Sequence, residues 1–489
     1  MKKISMLIPE LDRAAIIQSN SDEYGPDAAA MKWLGPQDAA ESEGLRQNLL
    51  EGIGKNGLFA FNDTKPFSRE LSPGCRLCGE GSWSCLFINN LCNAGCFFCP
   101  ASQDNRDEPG TSTLTFTSPA DYADYLEEFG FTGASISGGE PLLTFDKTVS
   151  FVKHIKDRFG GGIYLWLYTN GTLATEDKFR KLADAGLDEI RFNITATAYD
   201  LAKARTASRF IGNVTVEIPA IPEDYEVMKA KIREMADSGI SFLNLHQIRC
   251  TKYNVKHLAG RGYTFLHGPQ IGILESELTA LRLLRCAMEE GIGPGINYCS
   301  LVYRNRFQTR SSRRRWAPLM AKPFDDVTDA GMIRMIRIEG KPETIAHITA
   351  DLVSKACDPA QWSLSADKGR LSVAALPFML INPLPDAVKL SYALVSMRPG
   401  ITYRNPFKEI RLASGKKIVV ERATALSEIE LSGSEIELFR ASFLENPAPM
   451  DMDAVYGMAL SIDSSDALQK KWQKIIQAEA LRSGLMEYY

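Results

Sequence analysis

Residues 84–99 read SCLFINNLCNAGCFFC, a short apolar run followed at once by three cysteines in CxxxCxxC spacing, Cys92, Cys96 and Cys99. SCLFIN has the length and apolar character of a strand covered on both faces, so the thiols open a loop directly after a strand. Three thiolates on so short a loop can hold three irons of a [4Fe–4S] cube. The fourth iron then lacks a cysteine and takes an exchangeable ligand. Structural zinc with a distant fourth ligand is the competing reading of the same spacing.

Downstream, further strand candidates follow at ASIS (134–137), IYLWLY (163–168), EIRFNI (189–194), NVTVEI (213–218) and FLNLH (242–246). Helix candidates alternate with them near 119–129, 146–159, 175–185, 198–209 and 224–238. This alternation predicts an α/β fold of six βα units, a partial (β/α)6 barrel, with functional residues at the C-terminal strand ends. The strand ends are polar in order. Gly138-Gly139-Glu140-Pro141 follows the second strand, and its two glycines permit close backbone approach to a ligand while Glu140 can accept from a bound ammonium. Thr169 and Asn170 end the third strand, Asn193 at the end of the fourth is placed to meet a ribose, and Glu217 holds a comparable place on the fifth.

CNAGCFFC, SGGEP and LYTNG together resemble the radical S-adenosylmethionine (SAM) superfamily over about residues 84–250. The resemblance implies that the open iron of the cluster binds the amino and carboxylate groups of SAM. One-electron reduction then releases a 5′-deoxyadenosyl radical that abstracts hydrogen from an unactivated carbon. It further implies that Glu140 and the GGEP backbone hold the methionyl part and that Asn193 contacts the ribose.

A second cysteine set lies just upstream, so that six of the ten cysteines fall within residues 75–99. Cys75 and Cys78 form a CxxC, Cys85 follows, and no fourth thiol is local. Cys299, in NYCS at the end of a later strand, is the best distant candidate, with Cys250 second. Four thiolates suit zinc, a single iron or an auxiliary [4Fe–4S] cluster, whereas Cys85 and Cys299 as plain buried side chains is the alternative. Cys286 and Cys357 read as core cysteines.

The ordered signature GCRLC, LFINNLCNAGCFFCP, FLNLHQIRCTKYN, RGY, the SELTAL helix and INYCSLVYRNRFQTRSSRRR is similar to the cobalamin-dependent radical SAM methyltransferases of methanogens. These modify methyl-coenzyme M reductase on a carbon, at glutamine or arginine. The resemblance implies cobalamin as a cofactor, mononuclear iron at Cys75, Cys78, Cys85 and Cys299, the reductase as protein substrate, and a separate electron donor. The long N-terminal segment departs from the shorter arginine enzyme and favours glutamine. A cobalamin-independent peptide epimerase or cross-linking maturase is the rival. No DxHxxG occurs and the five histidines are isolated, so a histidine-ligated corrinoid domain is not expected.

Residues 304–315, RNRFQTRSSRRR, carry six arginines and read as a solvated face or a groove for a peptide, since Arg binds carboxylates and carbonyls bidentately. Arg304, Gln308, His246 and Tyr253 are the candidates for substrate contact. A net charge of −4 argues against a general nucleic-acid binder. The apolar stretch 371–385 is broken by three prolines and too short for a membrane span. MKKISMLIPELDRAA lacks the pattern of a signal peptide, so a reducing cytoplasm is the expected compartment. Three regions are expected: an N-terminal arm (1–70), the metal arm with the barrel (71–315), and an α+β domain (316–489) in which KEIRLASGKKIVVERA reads as a hairpin and which could hold the corrinoid.

Overall fold

Seven parallel strands succeed one another across one sheet in chain order. They are β1 Trp83–Phe87, β2 Gly133–Ser137, β3 Tyr164–Thr169, β4 Glu189–Phe192, β5 Asn213–Pro219, β6 Phe242–His246 and β7 Gly295–Cys299. The computed structural model describes residues 13–102, 107–445, 452–462 and 465–488; the first twelve residues of the expected N-terminal arm lie outside the described residues.

The six expected βα units are present, and β7 is added after the helix Leu274–Glu289. Leu86, Ile136, Leu167, Ile190, Val216 and Leu245 are all fully buried, as parallel strands covered on both faces require. Helices start where the sequence supplies a cap: Ser118 Oγ accepts from Asp121 N (3.2 Å) and Thr175 Oγ1 from Lys178 N (3.3 Å). Such a cap contributes about 1 kcal/mol. The register sets the strand ends side by side, with Glu217 opposite Asn244 and His246 opposite Cys299.

The sheet does not close on itself. At β7 its edge is covered by a hairpin of Leu58–Ala60 and Lys65–Phe67, Phe67 pairing antiparallel with Asn297. At β1 the edge is covered by Gly110–Thr111, Gly110 pairing with Phe87. Covered edges are protected from pairing with other chains. Lys32–Trp33 pairs parallel with Thr264–Phe265, and Tyr24 and Met31 pack with Phe265 and Ile271 in a small cluster.

Two compact units divide the chain. One holds residues 13–309, Arg411–Lys416 and residues 483–488; the other holds Arg310–Ile410 with Lys417–Arg482. Residues 13–70 thus belong with the barrel, and the change of unit falls at Thr309 instead of near residue 315. The second unit contains an antiparallel sheet built on Ile333–Glu339, Trp362–Leu364, Arg370–Val373, Ala387–Arg398, Phe407–Arg411 and Lys417–Ser432. The turn expected at Ser414-Gly415 is there, Gly415 having φ +86°. Its core includes Phe378, Tyr392, Phe439 and Trp472, and Arg334 pairs with buried Glu479 at 2.8 Å. Among the described residues no helix is long and apolar enough to cross a membrane.

Candidate active site

The loop after β1 is laced to the end of β2 by backbone hydrogen bonds. Ile88 N donates to Ser137 O (2.8 Å), Gly139 N to Asn89 O (3.1 Å) and Glu140 N to Leu91 O (2.6 Å). The fully buried Asn89 side chain donates to the Glu140 carbonyl (3.2 Å) and accepts from Leu91 N (3.1 Å). A Cβ on Gly138 or Gly139 would collide with the carbonyl oxygens of Asn89 and Leu91 respectively. The glycines therefore admit the backbone of the cysteine loop itself, a closer neighbour than the ligand expected from sequence.

Cys92, Cys96 and Cys99 line one side of a cavity of about 210 Å³. Gly138, Gly139, Pro141, Thr169, Asn170 and Asn193 line it from the strand ends, and Glu217 closes it from β5. Burial, with Cys99 and Cys92 alongside, pushes the Cys96 thiol up to about 11, so a bound iron would have to displace its proton. Asn170 Nδ2 donates to Asn93 Oδ1 (2.9 Å), holding the loop against β3, and Asn193 accepts from Thr195 Oγ1 (2.6 Å).

Glu140, expected from sequence to meet a bound ammonium, is engaged by the protein itself. Its carboxylate accepts from Leu142 N (2.9 Å), Thr169 Oγ1 (2.8 Å) and Asn170 N (2.6 Å), is fully buried, and does not line the cavity. Burial raises its pKa against those three hydrogen bonds. A carboxylate so committed fastens the GGEP turn to the end of β3.

A second cavity of about 280 Å³ is lined by Cys75, Cys78, Cys85 and Cys299 together. Cys75 and Cys78 stand three apart on the helix Pro73–Glu80, hence on one face of it. Pro73 at its first position and Ser72 Oγ, which accepts from Cys75 N at 3.1 Å, start that helix. Burial pushes the Cys78 and Cys85 thiols up to about 11. Burial acts likewise on Cys299, but Lys65, His246 and Arg304 outweigh it and bring that thiol down to about 6. Lys65 is itself buried, its ammonium 4.3 Å from the centre of the Tyr303 ring. Among the described residues no three or more His, Cys, Asp or Glu side chains are already drawn together as a metal-holding group.

The two cavities share Ser137, Tyr168, Arg191 and Glu217 as a common wall. Arg191 is its centre. Its Nε lies 2.8 Å from Glu189 Oε1 and its Nη1 2.7 Å from Glu217 Oε2, while Nη2 donates to Ser72 Oγ (3.1 Å). Its guanidinium also lies over the rings of Trp166 and Tyr168, 4.9 and 5.5 Å from their centres. Glu217 further accepts from Asn244 Nδ2 (2.8 Å) and meets His246 Nε2 (2.7 Å). Burial would raise Glu217, but Arg191 and His246 hold it well below the ordinary carboxylate range. Burial disfavours a charged His246, yet Glu217 and Cys299 keep its imidazole at about 9.

His246, Arg304 and Gln308 line the second cavity, and Gln308 Nε2 donates to Cys78 Sγ at 2.8 Å. Tyr253 is half-exposed and lines neither cavity. Cys250 is buried in the small cluster with Tyr24 and Phe265, away from both. Asn89, Lys65 and Arg191 were not singled out from sequence. The available signal for Arg191 was the opposite charge of Glu189 two residues earlier, on the same face of an otherwise apolar strand.

The sequence pattern described as the Radical SAM superfamily matches residues 86–240. A Methanocaldococcus jannaschii protein, assigned by name to the glycyl-radical enzyme activating enzymes, is 30% identical over 277 residues, 54% of this chain and 72% of that one. Among solved structures, Streptococcus suis SuiB bound to its precursor peptide SuiA superposes with a TM-score of 0.32 at 11% identity, covering 45% of this chain and 48% of that one. The Kitasatospora setae radical SAM methyltransferase TsrM, with cobalamin and a [4Fe–4S] cluster bound, superposes with a TM-score of 0.26 at 16% identity, covering 34% and 37%. This chain spans less than half of either structure, and at those scores neither bears on what it does.

Proposed function

This chain belongs to the radical SAM superfamily, and from that premise we propose that it is a C-methyltransferase acting on an unactivated sp3 carbon of a protein residue. The observation that carries the reading is the pair of cysteine-lined cavities set back to back on the Arg191–Glu217 wall. A single radical site needs only the first. Four thiols brought from three separate segments beside it support a second metal centre.

Cys92, Cys96 and Cys99 would hold three irons of a [4Fe–4S] cluster, and their donor set leaves the fourth for SAM. Gly138, Gly139, Pro141, Thr169, Asn170 and Asn193 would frame SAM. When bound and reduced by an external electron donor, cluster and SAM supply hydrogen abstraction at an sp3 carbon. The chain would hold the methionyl side against the GGEP turn, which Glu140 keeps in place, with Tyr168 and Phe98 lining the same cavity. Cys75, Cys78, Cys85 and Cys299 would hold mononuclear iron or an auxiliary cluster. Buried Lys65, with Arg304, would offset the negative charge of four metal-bound thiolates there.

Methyl delivery through methylcobalamin rests on the sequence resemblance. The one histidine of the second unit, His347, is exposed on the helix Pro342–Ser354, and no donor set among the described residues of that unit marks a corrinoid, so no residue is assigned to it. The same resemblance supports glutamine in methyl-coenzyme M reductase as the substrate, with arginine of that reductase second. A cobalamin-independent epimerase or cross-linking maturase is the alternative, favoured by a four-cysteine cavity large enough for an auxiliary cluster.

The deciding experiment is an anaerobic assay of the reconstituted protein with methyl-labelled SAM, cobalamin, reductant and reductase peptides. Labelled methyl on a glutamine carbon by fragmentation mass spectrometry, with 5′-deoxyadenosine formed, is the expected result. Epimerised or cross-linked peptide without corrinoid retention would replace the reading with the alternative.

A further inference from the structure

We propose that Arg191 is a positioning residue that couples the two cavities, so that filling the four-cysteine site tightens SAM binding in the other. The inference rests on the second metal centre proposed above and concerns what this chain does with it. Arg191 is built into place from both sides. A Cβ on Gly74 would collide with the guanidinium, so the glycine before Cys75 is what lets the metal-arm helix lie against it. Ser72 Oγ accepts from both Cys75 N and Arg191 Nη2, each at 3.1 Å, joining the start of that helix to the wall. Arg191 Nη1 donates to Cys75 Sγ at 3.8 Å and pairs with Glu217, which itself lines the SAM-side cavity.

A second route converges on the same carboxylate. Cys299 lies opposite His246 in the register, and His246 Nε2 meets Glu217 Oε1 at 2.7 Å. A metal that fixed Cys75 and Cys299 would therefore brace Arg191 and His246, two of the three side chains that hold Glu217, while Glu217 and Arg191 form one face of the other cavity. A metal on the cysteines would brace Arg191 and His246 through these contacts, and with them the Glu217 wall that SAM would meet. Coupling of this kind is reciprocal and commonly amounts to 5- to 150-fold in affinity, so about tenfold is expected here. Arg is suited to the position because a planar fork can meet Glu189, Glu217, Ser72 and Cys75 at once, which a lysine cannot.

The test uses the full chain, reconstituted anaerobically, with iron and sulfide counted and the SAM dissociation constant measured by equilibrium dialysis. Neither Cys75 nor Cys78 lines the SAM-side cavity. Cys75→Ser with Cys78→Ser should lower the iron count while the reduced-cluster paramagnetic signal persists, and should weaken SAM binding about tenfold. Ser72→Ala, a milder change that leaves all ligands in place, should weaken it in the same direction by less. In an Arg191→Lys background the two serine substitutions should shift SAM binding less than about twofold, because the connection is already cut. An unchanged dissociation constant on loss of the second centre would overturn the coupling. An iron count that the serine substitutions do not alter would instead remove the second centre itself, and the coupling with it.

Discussion

Replacing Glu140 by glutamine separates two roles that the GGEP motif could serve. The carboxylate accepts from Leu142 N and Thr169 Oγ1 on one oxygen and from Asn170 N on the other. If the new amide nitrogen takes the Asn170 side, one N–H faces another at a site closed to water. If it takes the other side, Leu142 N loses its acceptor, although the threonine hydroxyl can rotate to accept. Either way one charge-assisted hydrogen bond of about 1.5–3 kcal/mol is lost. Relief of a buried charge returns part of this, since burial already raises the Glu140 pKa. The net loss is about 2 kcal/mol, and it falls on the protein before any cofactor binds. Denaturant unfolding of the metal-free protein should show it as a lower midpoint with the slope unchanged. SAM affinity of the reconstituted variant should fall only as far as its cluster is lost. Metal-free stability within about 0.5 kcal/mol of the parent, together with a tenfold loss of SAM affinity at full cluster content, would refute this and put the carboxylate on the SAM ammonium.

Gly139→Ala should force the cysteine loop away from the end of β2, at about 1–3 kcal/mol, and should deplete the first cluster while iron at the four-cysteine site persists; metal analysis with paramagnetic resonance reads both. Cys299→Ser should reduce iron content whereas Cys250→Ser should leave it unaltered, since only Cys299 lines the second cavity. His267, stacked on Trp33 at 3.8 Å, is held by burial at about 4, below its ordinary 6.5. Its neutral form is the one the fold favours, so that contribution is intact above pH 6.5 and is lost as the pH falls toward 4. With partial exposure allowed for, the loss is on the order of 1–2 kcal/mol, and melting temperatures between pH 7 and pH 4.5 should converge for His267→Phe relative to the parent.

The residues legible in advance are those whose meaning is local. Cys92, Cys96 and Cys99 are bound to be neighbours because the five residues between them cannot carry them far apart, and the strand before them is readable from its unbroken apolar run. GGEP and LYTNG are equally local, each placed by the strand it ends. What Glu140 does was not local. Its donors come from its own turn and from β3, and only the packed structure shows its carboxylate facing them. Nor does the sequence alone tell that Gly138 and Gly139 are needed by the backbone of Asn89 and Leu91.

By itself the sequence determined the alternation of strands and helices, the three-cysteine loop, and a second set of three thiols just upstream. Periodicity and short-range chelation are properties of neighbouring residues, so a linear reading reaches them. Tertiary structure alone placed Cys299 on the cavity that Cys75, Cys78 and Cys85 line and left Cys250 off it, because β7 lies next to β6 and Cys250 is drawn into an apolar cluster. It alone placed Arg191 between the two cavities. A buried guanidinium is tolerable only where its charge is met, and here Glu189 and Glu217 supply the opposite charge while Ser72 and Glu217 accept hydrogen bonds from it, a set that only the fold brings together.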